Sequence, residues 1–177
     1  IVYTDKTNTR DGISNDVKES VWECSGGGFS EHFKAPAYQV PQVSKYLKSA
    51  TSKGKLPAGK MYNITGRGYP DIVGIAGETN PYCVVMKHGK HQIGISTTTA
   101  AATTIASILS IINNARLKNG KSPLGFINPM LYQPETQKCF NDIHDYSMNY
   151  CHIGSEGFAS IDGWDAASGS TNTNLMF

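Results

Sequence analysis

The sequence predicts an α/β domain, and three observations carry that expectation. Two runs read as strands, "YPDIVGIAG" at 69–77 and "YCVVMKHG" at 82–89, the second running to a glycine turn. The run "STTTAAATTIASILSIINNARLKNG" at 96–120 has helical spacing, with Ile105, Ile108, Leu109 and Ile112 at i, i+3, i+4 and i+7. Strands interleaved with a long helix are the pattern of α/β domains. The third observation is uniformity: 177 residues, 39% hydrophobic and 17% charged, show neither an internal repeat nor a linker. That is enough chain for one domain with a sizeable core.

Residues 1–20 are polar and end in a candidate strand, "SVWEC". "SGGGFS" follows as a turn in which the backbone approaches something closely or adopts positive φ. It lacks the lysine and spacing of a phosphate-binding loop. "YQVPQVSKYLKSAT" reads as a helix with Val40, Val43 and Leu47 on one face. The loop "SKGKLPAGK" carries Lys53, Lys55 and Lys60 and reads as a solvated surface. "KHQIGIS" leads to Ser96, the long helix stops at Asn119–Gly120, and "PLGFINPMLY" is a connection broken by Pro and Gly.

Composition excludes several function classes. A net charge of +2 gives no basis for binding nucleic acid or an anionic membrane. No stretch reaches the roughly 20 apolar residues of a membrane span. Cys24, Cys83, Cys139 and Cys151 have no CxxC or zinc-type spacing. His88 and His91 form an HxxH pair without a neighbouring Glu or third ligand, so they read as ordinary histidines. "NIT" makes Asn63 a glycosylation acceptor in a secretory compartment, and the cysteines lean the same way. The chain starts at Ile1 without an initiator Met or signal pattern, which is the expectation for one chain of a processed precursor.

Ser96 poses the functional question. It stands at the mouth of a helix that reads as buried nearly all round, followed by the small trio Ala100–Ala102 that lets backbones come close. A helix N-terminus has free N–H groups and partial positive charge. A hydroxyl there either caps the helix or attacks a carbonyl whose developing anion the N-terminus stabilises.

Five segments, in order, resemble the C-terminal half of the sedolisin family of serine-carboxyl peptidases. They are "SGGGFSEHFKAPAYQ", "YNITGRGYPDIVGIAG", "GISTTTAAATTIASILSIINNARLKNGKSPLGFINPMLY", "FNDI" and "GFASIDGWD", together covering roughly 21–168. The resemblance implies a subtilisin-like α/β fold with a parallel central sheet and flanking helices. Residues 1–177 would then be the C-terminal portion of one peptidase domain, completed by a separate N-terminal chain. It makes Ser96 the nucleophile. The family's Glu base, the Asp that orients it and the Asp of the oxyanion hole all lie upstream and match nothing here. Activity on peptide or protein substrates therefore implies an N-terminal partner chain from the same precursor. A carboxylate base implies work at acidic pH, in a lysosome, another acidic secretory compartment or outside the cell. Tripeptidyl release and internal cleavage are both open.

The resemblance also implies one Ca2+ site, with carboxylates from Asp142 and Asp165 and carbonyls from Ile143, Ile161 and Gly163, an all-oxygen set that suits a hard cation. It makes Cys151 a candidate for an interchain disulfide, because a family member bonds a cysteine at similar spacing to its N-terminal half. Pairing of Cys139 with Cys151 stands beside it, and Cys24 and Cys83 read as buried thiols.

Two departures favour a second reading. The nucleophile motif is Gly94-Ile95-Ser96, with Ile95 in place of the usual Thr, and the proline that follows in the family is absent. The tail "SGSTNTNLMF" also departs from the family ending. The alternative is a catalytically inactive sedolisin-like protein with a structural or binding role.

Overall fold

The computed structural model describes residues 2–9, 12–59, 61–77, 81–85, 91–95, 97–150 and 155–170. Six strands, β1 (Val2–Thr9), β2 (Gly12–Val21), β3 (Gly28–Lys34), β4 (Gly66–Tyr69), β5 (Tyr82–Val85) and β6 (His91–Ile95), form three two-stranded sheets among the described residues. The pairs are β1–β2, β3–β4 and β5–β6, all antiparallel. The parallel pairing implied by the resemblance is not among them, although strands and helices do mix as expected. Four helices are described: α1 (Val40–Ser52), α2 (Thr98–Lys118), α3 (Asn128–Leu131) and α4 (Pro134–Gln137).

The β1–β2 hairpin was not legible in the polar N-terminal segment. Val2 pairs with Val21 and Thr9 with Gly12, with an irregularity between Lys6 and Asn8. A hairpin is held by backbone ladders, so it does not need a hydrophobic alternation to announce it. The run "YPDIVGIAG" is less regular than expected. Its ladder ends at Tyr69 because Pro70 has no N–H to donate, and residues 70–77 form bends with isolated bridges.

Helix α1 matches its expected span, but its inner face is shifted. Val43, Tyr46 and Ala50 are buried, while Val40 is 45% exposed. Pro41 sits in the first turn, where its missing N–H costs nothing. Helix α2 starts and stops where the sequence indicated. Asn119 caps it, Gly120 at φ +68° takes the left-handed conformation that closes the helix, and Arg116 and Lys118 complement its C-terminal dipole. Its burial is a correction. Only Ala101 is buried, and Ile111 and Leu117 are 61% and 58% exposed. The described residues cover just the start of a helix whose pattern calls for cover along its length.

The core is aromatic. Phe29 packs against Tyr62 and Phe158 at 5.5 Å between ring centroids and against Trp164 at 6.1 Å, while Tyr46 meets Trp164 edge-on at 5.6 Å. Such rings each bury about 150–250 Å2 and gain from edge-to-face geometry. "SGGGFS" threads this core as its glycines predict. A Cβ on Gly27 would lie 2.0 Å from the Ala166 carbonyl oxygen, and Gly28 has φ +139°.

Candidate active site

Helix α2 delivers its N-terminus to a cavity of about 270 Å3 lined by Ser25, Gly26, Pro70, Gly74, Thr98 and Ala101, among others. Gly74 allows the approach of the two walls: a Cβ there would meet the Ala101 oxygen at 3.3 Å and the Ala101 Cβ at 3.4 Å. This is the close packing that the small residues at the head of the helix anticipate. Ser96 itself lies outside the described residues. Its neighbour Thr97 is the N-cap, extended at φ −128°, ψ 158°, and its Oγ1 accepts from the Ala100 N–H at 3.3 Å. The capping role is therefore taken by Thr97. No acidic residue occupies the first turn, so the positive end of the helix is not neutralised by its own side chains.

The wall formed by residues 70–74 is held by a polar network that sequence reasoning missed. The Asp71 carboxylate pairs with the Arg67 guanidinium and accepts from Asn128 Nδ2 at 3.1 Å and from the Tyr132 hydroxyl at 3.0 Å. The Asp71 carbonyl accepts from the Ser170 N–H at 2.8 Å. Behind it, fully buried Gln39 bridges both backbone groups of Gly68 and donates to the Tyr132 hydroxyl at 2.6 Å. Burial, the largest influence, pushes the Tyr132 phenol far above its ordinary range. The side-chain partners are 29 to 93 positions apart in the chain, apart from the Arg67–Asp71 pair at i, i+4. Only that pair carried a local signal.

The residues expected to hold a cation divide into two linked groups. Asp142 Oδ2 accepts from the Gly163 N–H at 2.7 Å, while its Oδ1 is buried with no hydrogen-bond partner among the described residues. Asp165 is fully buried, and Ile161 N–H donates to its Oδ2 at 3.2 Å. Ala167 N–H, Ser168 N–H and the Ser168 hydroxyl serve its Oδ1 at 2.9, 2.6 and 3.0 Å. Burial raises the Asp165 carboxyl to about 7 against these donors, and burial likewise raises Asp142 against its bond from Gly163. Ile143 is buried beside them. The orphaned Asp142 oxygen is what fits a bound cation, which would supply the missing positive charge. Among the described residues, the potential metal-ligand atoms that come within 4.8 Å of one another are those of Asp142, His144 and Asp162. His144 and Asp162 were not anticipated, and Asp165 stands outside that trio with its oxygens turned to the 161–168 backbone.

The other singled-out residues disperse. Asn63 accepts from the Thr65 N–H at 3.0 Å, in a turn with exposed Ile64 and Thr65. Cys24 is half-buried and Cys139 exposed. Cys151, His88, Lys60 and the side chains of Cys83 and His91 lie outside the described residues. No helix among the described residues is long and apolar enough to cross a membrane.

No protein-family model matches the chain. It is 36% identical over 170 residues to tripeptidyl-peptidase 1 of Rattus norvegicus, covering 92% of this chain and 28% of that protein. It is 38% identical over 149 residues to tripeptidyl-peptidase 1 of Dictyostelium discoideum, covering 83% and 23%. With tripeptidyl-peptidase 1 of Homo sapiens the identity is 34% over 166 residues, covering 92% and 28%. The chain thus spans about a quarter of the length of the curated relatives it matches. Among solved structures it is similar to Pseudomonas sedolisin, a serine-carboxyl proteinase complexed with pseudo-iodotyrostatin. The TM-score is 0.60 at 20% identity, over 98% of this chain and 42% of that one. That likeness shows the fold: α/β, as in sedolisin.

Proposed function

The chain belongs to the sedolisin family of serine-carboxyl peptidases, and on that premise we propose that it is the C-terminal part of an acid-acting peptidase with Ser96 as nucleophile. What supports the reading is the order of the chain, Ser96 directly before Thr97, the cap of α2, within a sequence similar to tripeptidyl-peptidase 1 over most of the chain. The Ser96 Oγ attacks the scissile carbonyl carbon and gives its proton to a Glu carboxylate from the preceding part of the precursor. The carbonyl oxygen becomes an anion beside the positive end of α2. Collapse expels the amine, which takes the proton back, and water then hydrolyses the ester on Ser96. A carboxylate base with an ordinary Glu pKa of about 4.3 operates in acid, which suits an acidic secretory compartment.

The required partner is the polypeptide that carries the Glu and Asp residues. The uncovered apolar side of α2, with Ile111 and Ile112, supports it, as does the 42% of sedolisin that this chain spans. A Ca2+ held by Asp142 and Asp165 with the carbonyls of Ile143, Ile161 and Gly163 would neutralise carboxylates that burial otherwise drives toward protonation. Asn63 is the glycan acceptor. Substrates are peptides, released as tripeptides or cut internally.

The competing reading, a non-catalytic sedolisin-like protein, draws on Ile95, which lacks the hydroxyl of the family's Thr. Hydrolysis of unblocked and N-blocked peptides between pH 3 and 7 decides between them. The account expects an acidic optimum for the native protein and a fall of roughly a thousandfold or more in Ser96→Ala. A native protein that cleaves neither peptide class belongs to the second reading.

A further inference from the structure

One tyrosine is held away from the core and meets two ammonium groups. Among the described residues, Tyr146 is the one non-glycine residue with positive φ, at +64°. Both of its neighbours in the chain are tied inward. Asp145 Oδ2 accepts from the Ser20 hydroxyl at 2.6 Å, and its Oδ1 accepts from the Ser160 hydroxyl at 3.1 Å. Ser147 Oγ accepts from the Val21 N–H at 2.8 Å, and the Ser147 carbonyl accepts from the Ser160 N–H at 2.9 Å. These bonds hold the left-handed backbone between them, a conformation that a bulky side chain adopts only when its surroundings impose it. Tyr146 is left 43% exposed.

The end of α1 and the loop after it supply the cations. Lys53 Nζ donates to the Tyr146 hydroxyl at 3.0 Å and stands 5.0 Å from the ring centroid. Lys55 Nζ stands 5.6 Å from the same centroid, and its N–H is fixed on the Ala50 carbonyl at 2.9 Å. Among the described residues, neither lysine has a carboxylate within ion-pair distance, and Asp162 acts on Lys53 only at longer range. Two like charges gathered on one neutral phenol repel each other, so an anion placed at that phenol would be held by both.

We propose that Tyr146 is a tyrosine-sulfation site and that Lys53 and Lys55 receive the sulfate ester. This rests on the secretory compartment proposed above. The anionic oxygens of the ester lie two bonds beyond a phenol oxygen that Lys53 already reaches. Asp145, directly before the tyrosine, gives the turn the acidic character that suits a transferase with a basic donor cleft. It stays ionised, because against partial burial the bonds from Ser147, Ser20 and Ser160 hold its carboxyl below the ordinary range. Lys53 is exposed and can swing off the phenol to admit the transferase. The donor is a nucleotide phosphosulfate anhydride. The phenol oxygen bonds to its sulfur, the bond from sulfur to the donor's phosphate oxygen breaks, and the phenol proton passes to a base of the transferase. Tyr150, also exposed, is the poorer acceptor: Asn149 precedes it, and its hydroxyl pairs with Glu23.

The test is peptide mapping of the native protein by mass spectrometry. The expected result is a sulfo group on the peptide containing Tyr146, lost as sulfur trioxide on activation, resistant to phosphatase and absent in Tyr146→Phe. Protein made in cells grown with chlorate, which starves the transferase of its donor, should melt roughly 2–4 °C lower. In the Lys53→Gln/Lys55→Gln variant that difference should vanish. An unmodified Tyr146, a group on Tyr150 alone, or a group that phosphatase removes overturns the proposal. A sulfate on Tyr146 whose effect on melting survives in the lysine variant overturns the role of the two lysines. The Asn63 glycan on the same molecules separates the two readings: glycan without sulfate sinks this proposal alone, and neither group sinks the secretory reading with it.

Discussion

The Thr97 hydroxyl accepts the Ala100 N–H at 3.3 Å, so the serine one position earlier is not needed to start the helix. A sequence with consecutive hydroxyl residues at a helix mouth leaves open which one is the cap and which is available for chemistry. Here the cap has the extended backbone of an N-cap residue and sits directly after Ser96. Thr97→Ala should cost about 1 kcal/mol in denaturant unfolding, and Thr97→Ser should retain most of it. Equal losses in the two variants would mean that the hydroxyl is not the cap.

Gly68 and Trp164 make a second sharp prediction. A Cβ on Gly68 would lie 2.3 Å from the Trp164 ring, which is 2% exposed and anchored by its Nε1–H on the Pro70 carbonyl at 2.9 Å. Gly68→Ala should destabilise by about 1–3 kcal/mol through overpacking. Gly26→Ala, with nothing within 4 Å of its Cβ, is the control and should be near neutral. Equal melting temperatures for the two variants would contradict the packing.

Asp71 should matter more than its partial exposure indicates. Asp71→Asn leaves the Arg67 guanidinium without its carboxylate and disturbs the bonds to Asn128 and Tyr132. The expected loss is about 2 kcal/mol, below that of a fully buried pair because both side chains are partly solvated. A double-mutant cycle with Arg67→Met measures the coupling, and a coupling near zero would remove Asp71 from its place as organiser of the cavity wall.

Asp165 gives a pH dependence whose sign is determined. Its folded-state carboxyl, raised to about 7, lies above the roughly 3.9 of an unfolded chain, so the folded protein holds this proton more tightly. In metal-free protein that stabilisation is complete below about pH 4 and is lost as pH rises through about 7. Denaturation midpoints in chelator between pH 4 and 8 should fall with pH in the native protein more than in Asp165→Asn. Calcium added at pH 7.5 should recover part of the loss, and added at pH 4 should do little. The same midpoints with and without calcium at pH 7.5 would count against the cation site.

What the sequence disclosed follows from range. The limits of α2, the site of its Gly120 stop and the tight glycines of "SGGGFS" rest on local chemistry, and each is where the residues indicate. The face of α1 shifted because Val40 is the first residue of the helix and is 45% exposed, and helical spacing alone does not say which apolar residue lies at the solvent edge. The exposure of Ile111 and Leu117 was not legible, since periodicity reports that a helix wants cover and not whether the cover is in the same chain. The Asp71 network was missed because long-range contact gives polar residues their partners, and His144 and Asp162, exposed beside the expected Asp142, belong to no motif that would single them out. At the candidate site, the role of Ser96 rests on the resemblance, and Thr97 as the cap needed the backbone.

The most direct measurement is to quench the native protein during turnover of a peptide at acidic pH and map the peptide spanning residues 91–120 by mass spectrometry. The account predicts an acyl adduct on Ser96 that disappears in Ser96→Ala together with hydrolysis. Cleavage that proceeds with Ser96 unmodified, or that survives Ser96→Ala, would contradict it.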